Sequence, residues 1–82
     1  MANSDTYRIY VRDVVFEMIE EAARARESRD RLPRGERKNF QAGVTFGLYT
    51  VLSSMAQKAK AFGIPLAQTG LDKVDADREL AR

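Results

Sequence analysis

The sequence contains no cysteine and no histidine among its 82 residues. These two absences exclude a Cys/His zinc site, a thiol nucleophile and a histidine general base. A secreted chain of this size usually depends on disulfides, so the lack of cysteine favours a cytoplasmic location. The first residues also lack the basic region and the apolar run of a signal peptide, which agrees with that expectation.

Long apolar runs are missing as well. The longest uncharged stretch, 39–57, is interrupted by polar residues such as Gln41, Thr45 and Thr50, which argues against a membrane span. The acidic residues at 72–79 lack the mid-loop glycine and the terminal glutamate of a calcium loop. The carboxylates at 13–21 lack the histidine that di-metal helical bundles use. We therefore expect no metal, no cofactor, no small-molecule substrate and no enzymatic activity.

The residues that are present predict helices. From Thr6 to Ala25 the apolar side chains recur every three or four positions, as on one face of a helix. A strand is the alternative because the segment is rich in β-formers, but strict alternation fails at Val14, Val15 and Phe16. We predict helix 1 over about 5–28.

A bend separates this helix from a second one. Pro33 disfavours helical geometry at Leu32, and Gly35 adds flexibility, so the bend is predicted over 29–36. Helix 2 is predicted over about 37–62, ending at Gly63 and Pro65. Its predicted core stripe, with Leu48 near the middle, is Phe40, Val44, Leu48, Val51, Leu52, Met55, Ala59 and Phe62.

The remaining residues, 63–82, are predicted to form a short helical tail. Residues 66–69 suit one helical turn before Gly70, and Asp75 is a suitable N-cap for a last helix over 76–81. The whole chain, 1–82, is thus predicted to be a single all-α domain built on an antiparallel two-helix hairpin.

The apolar faces of the two helices are wider than one partner helix can cover. A second hairpin would cover the remainder and give a dimeric four-helix bundle. The alternative is a monomer in which the C-terminal tail covers the hairpin. Gly43 and Gly47 lie at the edge of the helix 2 stripe and suggest close helix packing, because glycine otherwise weakens a helix.

Large apolar residues also fall outside the two predicted stripes. These are Ile9 and Phe16 on helix 1, with Phe46 and Tyr49 on helix 2. We expect either that a protein partner contacts them or that the dimer or the tail buries them. The predicted interface residues are Ile9, Phe16, Gly43, Phe46, Gly47 and Tyr49.

Positive charge is concentrated around the bend. Residues 24–38 carry seven cations against three anions, in a chain with a net charge of only +2. Phosphate contacts by these arginines are one interpretation, and local ion pairs in a solvated loop are the other. The segment has no aromatic residue to stack on bases. The candidate phosphate contacts are Arg29, Arg31, Arg34 and Arg37.

The sequence therefore favours a small cytoplasmic homodimer that serves in protein–protein interaction, as an adaptor, regulator or accessory subunit. A dimer that binds nucleic acid through the Arg-rich bend is the alternative. Neither interpretation involves a membrane, and the protein partner of the first is unidentified.

Overall fold

The computed structural model describes residues 4–80 of the chain. Two long helices, α1 (Ser4–Arg31) and α2 (Glu36–Ala61), pack along each other as an antiparallel hairpin. They are followed by α3 (Leu66–Thr69), a 3₁₀ turn (Leu71–Lys73) and α4 (Ala76–Leu80). No strand occurs within residues 4–80. The predicted all-α hairpin with a short helical C-terminal segment is confirmed.

The bend is shorter than the sequence suggested. Helix α1 continues to Arg31, three residues beyond the predicted end, and α2 starts at Glu36. The last turn of α1 is supported by the ion pair of Arg31 with Glu27, one helical turn earlier. The N–H of Leu32 still donates to the Ser28 oxygen at 3.2 Å, and Pro33 then ends the helix.

The C-terminus of α2 has the predicted glycine stop. Gly63 has φ 72°, in the left-handed region that favours glycine. Its N–H donates to the Lys60 oxygen at 3.1 Å, and the N–H of Ile64 donates to the Ala59 oxygen at 2.8 Å. This bond pattern is a Schellman motif, which satisfies the last carbonyls of the helix before Pro65 redirects the chain.

The core is small and lies between α1, α2 and the C-terminal segment. Val15 and Leu52 are its fully buried large side chains. The buried cluster consists of Val15, Ala22, Tyr49, Leu52, Ala59, Leu71 and Ala76. The Cα extents of 48 × 24 × 16 Å describe a thin, elongated body, so much of each helix has no second layer above it.

The prediction of which face of helix 2 is buried needs a correction. Phe40, Val51 and Phe62 belong to the predicted core stripe but are 68%, 47% and 75% exposed, and Leu48 is half-buried. The centre of the buried face is instead rotated toward Tyr49, beside Leu52. The apolar arc of α2 is wide enough that the hairpin covers only one side of it.

Two hydroxyl residues, Thr45 and Ser53, lie on this buried face. The Thr45 hydroxyl donates to the Gln41 oxygen at 2.8 Å, and the Ser53 hydroxyl donates to the Asp77 carboxylate. Both polar groups are therefore satisfied inside the fold.

The C-terminal segment docks on the hairpin. Gly70 has φ 80° and lies against Phe16. The two residues are so close that a Cβ atom at position 70 would be 3.0 Å from the Phe16 Cε1 atom. The Phe16 ring also has the Arg12 guanidinium 5.6 Å from its centroid. Phe16 is half-buried as a result, which is one of the two outcomes expected for a residue off the helix 1 stripe.

Helix α4 is held by polar contacts with both long helices. Its Asp77 accepts the hydrogen bond from Ser53 of α2, and its Glu79 forms an ion pair with Arg26 of α1. The N–H of Arg78 donates to Asp75 Oδ1 at 3.2 Å, which confirms the predicted N-cap. The last predicted residue of this helix, Ala81, lies outside the described residues.

Candidate protein interface and basic bend

One face of α2 carries large apolar side chains that the rest of residues 4–80 leaves largely exposed. Phe40, Val51 and Phe62 follow one another at intervals of eleven positions. Eleven residues are close to three helical turns, so the three side chains lie on one line along the helix. We call the surface around this line the α2 outer face. It consists of Phe40, Gly43, Gly47, Val51, Ser54 and Phe62, all exposed.

The two glycines of this face do not mark a contact within the chain. A Cβ built at Gly43 or Gly47 would meet nothing within 4 Å. Each glycine costs an isolated helix about 1 kcal/mol relative to alanine, and packing inside the hairpin does not account for that cost. The glycines leave the α2 backbone open to close approach from outside.

The α2 outer face is almost without charge. On the helical projection Lys58 is the one charged side chain that falls among its residues between Phe40 and Phe62. Exposed helix faces of globular proteins are normally polar and charged. A long, exposed strip with one charge that mixes phenyl rings with glycine and serine is typical of a helix that packs against another helix.

The predicted interface residues outside this face have different environments. Ile9 and Phe46 are 59% and 64% exposed, whereas Phe16 is half-buried against the C-terminal segment. Tyr49 is only 4% exposed and belongs to the core. Tyr49 is therefore buried, which is the second outcome expected for it, because the buried face of α2 is rotated toward it.

The first turns of α1 add a second group of exposed apolar side chains. Tyr7 and Tyr10 are 61% and 66% exposed, and Ile9 lies between them in sequence. In an antiparallel hairpin these turns lie at the same end as the exposed Phe62 and Ile64. Apolar exposure is thus concentrated on α2 and at the open end of the hairpin.

The basic bend is divided into paired and unpaired cations. Arg29 and Arg31, predicted to lie in the bend, belong to the last turn of α1 and form ion pairs with Asp30 and Glu27. Arg34 and Arg37 are exposed, and neither forms an ion pair with any residue in the described part of the chain. Arg24 and Arg26 are paired as well, with Glu21 and Glu79.

The start of α2 adds to the positive character of the bend. Gly35, at the N-cap position, offers no side chain to the free N–H groups of the first turn. Lys38 is half-buried and, among the residues described, has no acidic partner. An open groove of about 590 Å³ lies beside the bend, lined by residues that include Leu32, Arg37 and Phe40.

Residues 4–80 contain no group of three or more carboxylates placed to hold a metal ion. Neither long helix there combines the length and the apolar content that crossing a membrane requires.

By its fold, the chain is an all-α helical hairpin with a docked C-terminal segment. The chain matches no protein-family model, and no significant match to it was found among curated proteins or solved structures.

Proposed function

We propose that this chain is a small, non-enzymatic module for protein–protein association, in the cytoplasm, and that it acts as a homodimer through the α2 outer face. The observation that carries the proposal is the exposed line of Phe40, Val51 and Phe62, on a face where Lys58 is the one charged residue between the two phenylalanines. A second copy would convert two hairpins into a four-helix assembly.

The energetics favour a weak to moderate dimer. A phenylalanine side chain buries about 200 Å², so Phe40 and Phe62 together expose roughly 280 Å². At about 25 cal/mol per Å², covering that surface contributes roughly 7 kcal/mol per protomer. The two protomers together gain roughly 14 kcal/mol. Association itself costs about 4–15 kcal/mol, so the net gain is at most about 10 kcal/mol, and a micromolar dissociation constant, about 8 kcal/mol, lies within that limit.

Sedimentation velocity of Phe40→Ser and Phe46→Ser tests the proposed surface. The two phenylalanine side chains have similar exposed fractions, 68% and 64%, but they lie on different faces of α2, so each variant is a control for the other. We expect Phe40→Ser to shift the protein toward monomer and Phe46→Ser to behave like the parent. The opposite pattern would assign the interface to the Phe46 side of α2.

Nucleic-acid binding is the second candidate function, and the unpaired cations at the bend favour it. Arg34, Arg37 and Lys38 surround the uncapped start of α2, and helix N-termini attract phosphate groups. The four ion-paired arginines of the segment have carboxylates beside them, which weakens the case. Residues 24–38 also contain no aromatic side chain for base stacking.

Fluorescence anisotropy with generic RNA and DNA oligomers over a salt series tests this second function. Backbone binding requires an affinity that falls steeply with salt and does not depend on base sequence. The triple variant Arg34→Ser, Arg37→Ser, Lys38→Ser would then lower the salt slope. Absence of binding at physiological salt would exclude it.

A further inference from the structure

We propose that the two α2 helices of the homodimer pack antiparallel about a two-fold axis at Gly47. This proposal rests on the proposed homodimer and adds its register. In an antiparallel pair with that axis, residues at equal distances before and after Gly47 face each other across the interface. Each contact is therefore made twice.

The register matches large side chains with small ones. Phe40 faces the partner's Ser54, and Val51 faces the partner's Gly43. Gly47 faces the partner's Gly47 at the crossing point, where the backbones come closest. Because a Cβ at Gly43 or Gly47 would meet nothing within 4 Å among the described residues, the space beside each glycine can receive a partner side chain.

The register also matches charge. Lys58, the charged residue among those of the outer face, faces the partner's Glu36. Both residues are exposed, and neither forms an ion pair with any other described residue of its own chain. A parallel, in-register pair would instead place Lys58 against the partner's Lys58. Moving the axis to Val51 or Ser54 would leave Lys58 facing Val44 or Thr50 of the partner subunit, without an opposite charge.

An axis at Gly47 also uses nearly the whole helix. The middle of α2, which spans Glu36–Ala61, lies between Leu48 and Tyr49, so the two copies overlap over most of their length. The two basic bends then lie at opposite ends of the dimer, roughly 40 Å apart at 1.5 Å per residue. This arrangement does not bring them together on one phosphate-binding surface.

Charge-exchange variants test the register. Glu36→Lys and Lys58→Glu each place like charges across both symmetric contacts, so each variant alone should self-associate about tenfold more weakly. Mixed in equal amounts, the two restore an opposite charge at both contacts, and the heterodimer should predominate in native mass spectrometry.

A matched control removes the effect of net charge. Glu17→Lys and Lys73→Glu change the charge by the same amounts at exposed positions outside the α2 outer face. We expect their mixture to give the statistical ratio of homodimers and heterodimer. A heterodimer excess as large as that of the test pair would contradict the Glu36–Lys58 contact.

Cysteine cross-linking locates the axis independently. The chain has no native cysteine, so Gly47→Cys supplies a single thiol beside the axis. A disulfide requires Cα atoms within about 7 Å, which holds at a glycine-mediated crossing but not for Gln57→Cys, roughly 30 Å from its own copy. We expect mild oxidation to link Gly47→Cys into dimers and to leave Gln57→Cys largely unlinked.

The outcomes separate the register from the homodimer. A parent protein that dimerises, with no preferential heterodimer and no excess cross-linking at Gly47→Cys, would overturn the register and leave the homodimer standing. A parent protein that stays monomeric at roughly 100 µM would overturn both.

Discussion

The two faces of α2 have similar apolar content and opposite environments. On the inner face Tyr49, Leu52 and Ala59 are 4%, 0% and 6% exposed. On the outer face Phe40, Val51 and Phe62 are 68%, 47% and 75% exposed. Large apolar side chains thus occur on both faces, buried on one and exposed on the other. Helical periodicity locates an apolar arc, and what packs over the arc decides which part of it becomes core.

The small residues of the two faces also differ. The inner face buries Thr45 and Ser53, whose hydroxyls donate to Gln41 and Asp77. The outer face instead carries Gly43 and Gly47, which leave its surface flat. A flat face with large side chains on either side suits a second helix, whereas the inner face already has its neighbours.

The comparison is tested most strongly by Leu52→Ala and Val51→Ala, neighbours on opposite faces. Leu52 is fully buried, so its truncation should lower the free energy of unfolding by about 2–5 kcal/mol. Val51→Ala should change the unfolding of the monomer by less than about 0.5 kcal/mol. Urea denaturation in dilute solution measures both, and equal losses would show that the inner face is misassigned.

Gly70→Ala tests how firmly the C-terminal segment covers α1. Gly70 and Gly63 have similar φ values of 80° and 72°, but a Cβ would clash with Phe16 only at Gly70. In both alanine variants the free energy of unfolding should fall by about 1 kcal/mol, because alanine is strained in the left-handed region. The free energy of unfolding of the Gly70→Ala variant should fall by about 1–2 kcal/mol more, because the Phe16 ring must shift to make room for the methyl group.

Thermal melts of the two glycine variants provide the measurement. Equal melting temperatures would mean that the Gly70–Phe16 contact contributes nothing to stability.

Gly47→Ala sharpens the contrast between monomer and dimer. In dilute solution it should stabilise the helix by about 1 kcal/mol, because alanine is the better helix former and nothing in the chain opposes the added methyl. At concentrations that favour dimer, the same methyl should weaken association. If the Gly47→Ala variant both folded more stably and associated more tightly than the parent, Gly47 would be excluded from the interface.

The smallest effect is expected at the bend. Arg34 and Arg37 are exposed and have no ion-pair partner among the described residues. The double variant Arg34→Ser, Arg37→Ser should therefore change the unfolding free energy by less than about 0.5 kcal/mol. A larger loss in a urea titration would indicate that the bend takes part in folding.

The fold followed from local features that the sequence displays. Pro33 and Gly63 end the two long helices, and Asp75 caps the last one, because each acts within a few residues of its own position. The 3.6-residue period likewise identified both helices correctly. The last turn of α1 was underestimated, since the helix continues to Arg31, where the Arg31–Glu27 ion pair supports it.

Long-range contacts were the part that the sequence did not reveal. The phase of α2 depends on the C-terminal segment, whose Asp77 pairs with Ser53 across 24 positions and gives that buried serine a hydrogen-bond partner. The Arg26–Glu79 ion pair joins positions still further apart, so no local spacing signals it.

Sedimentation equilibrium over a concentration series tests the central claim, that the α2 outer face is a surface for self-association. At roughly 100 µM we expect a mass approaching twice 9.3 kDa, falling toward the monomer value on dilution. The Phe40→Ser variant should remain near 9.3 kDa under the same conditions. A parent protein with a constant mass of 9.3 kDa across the whole series would contradict the account.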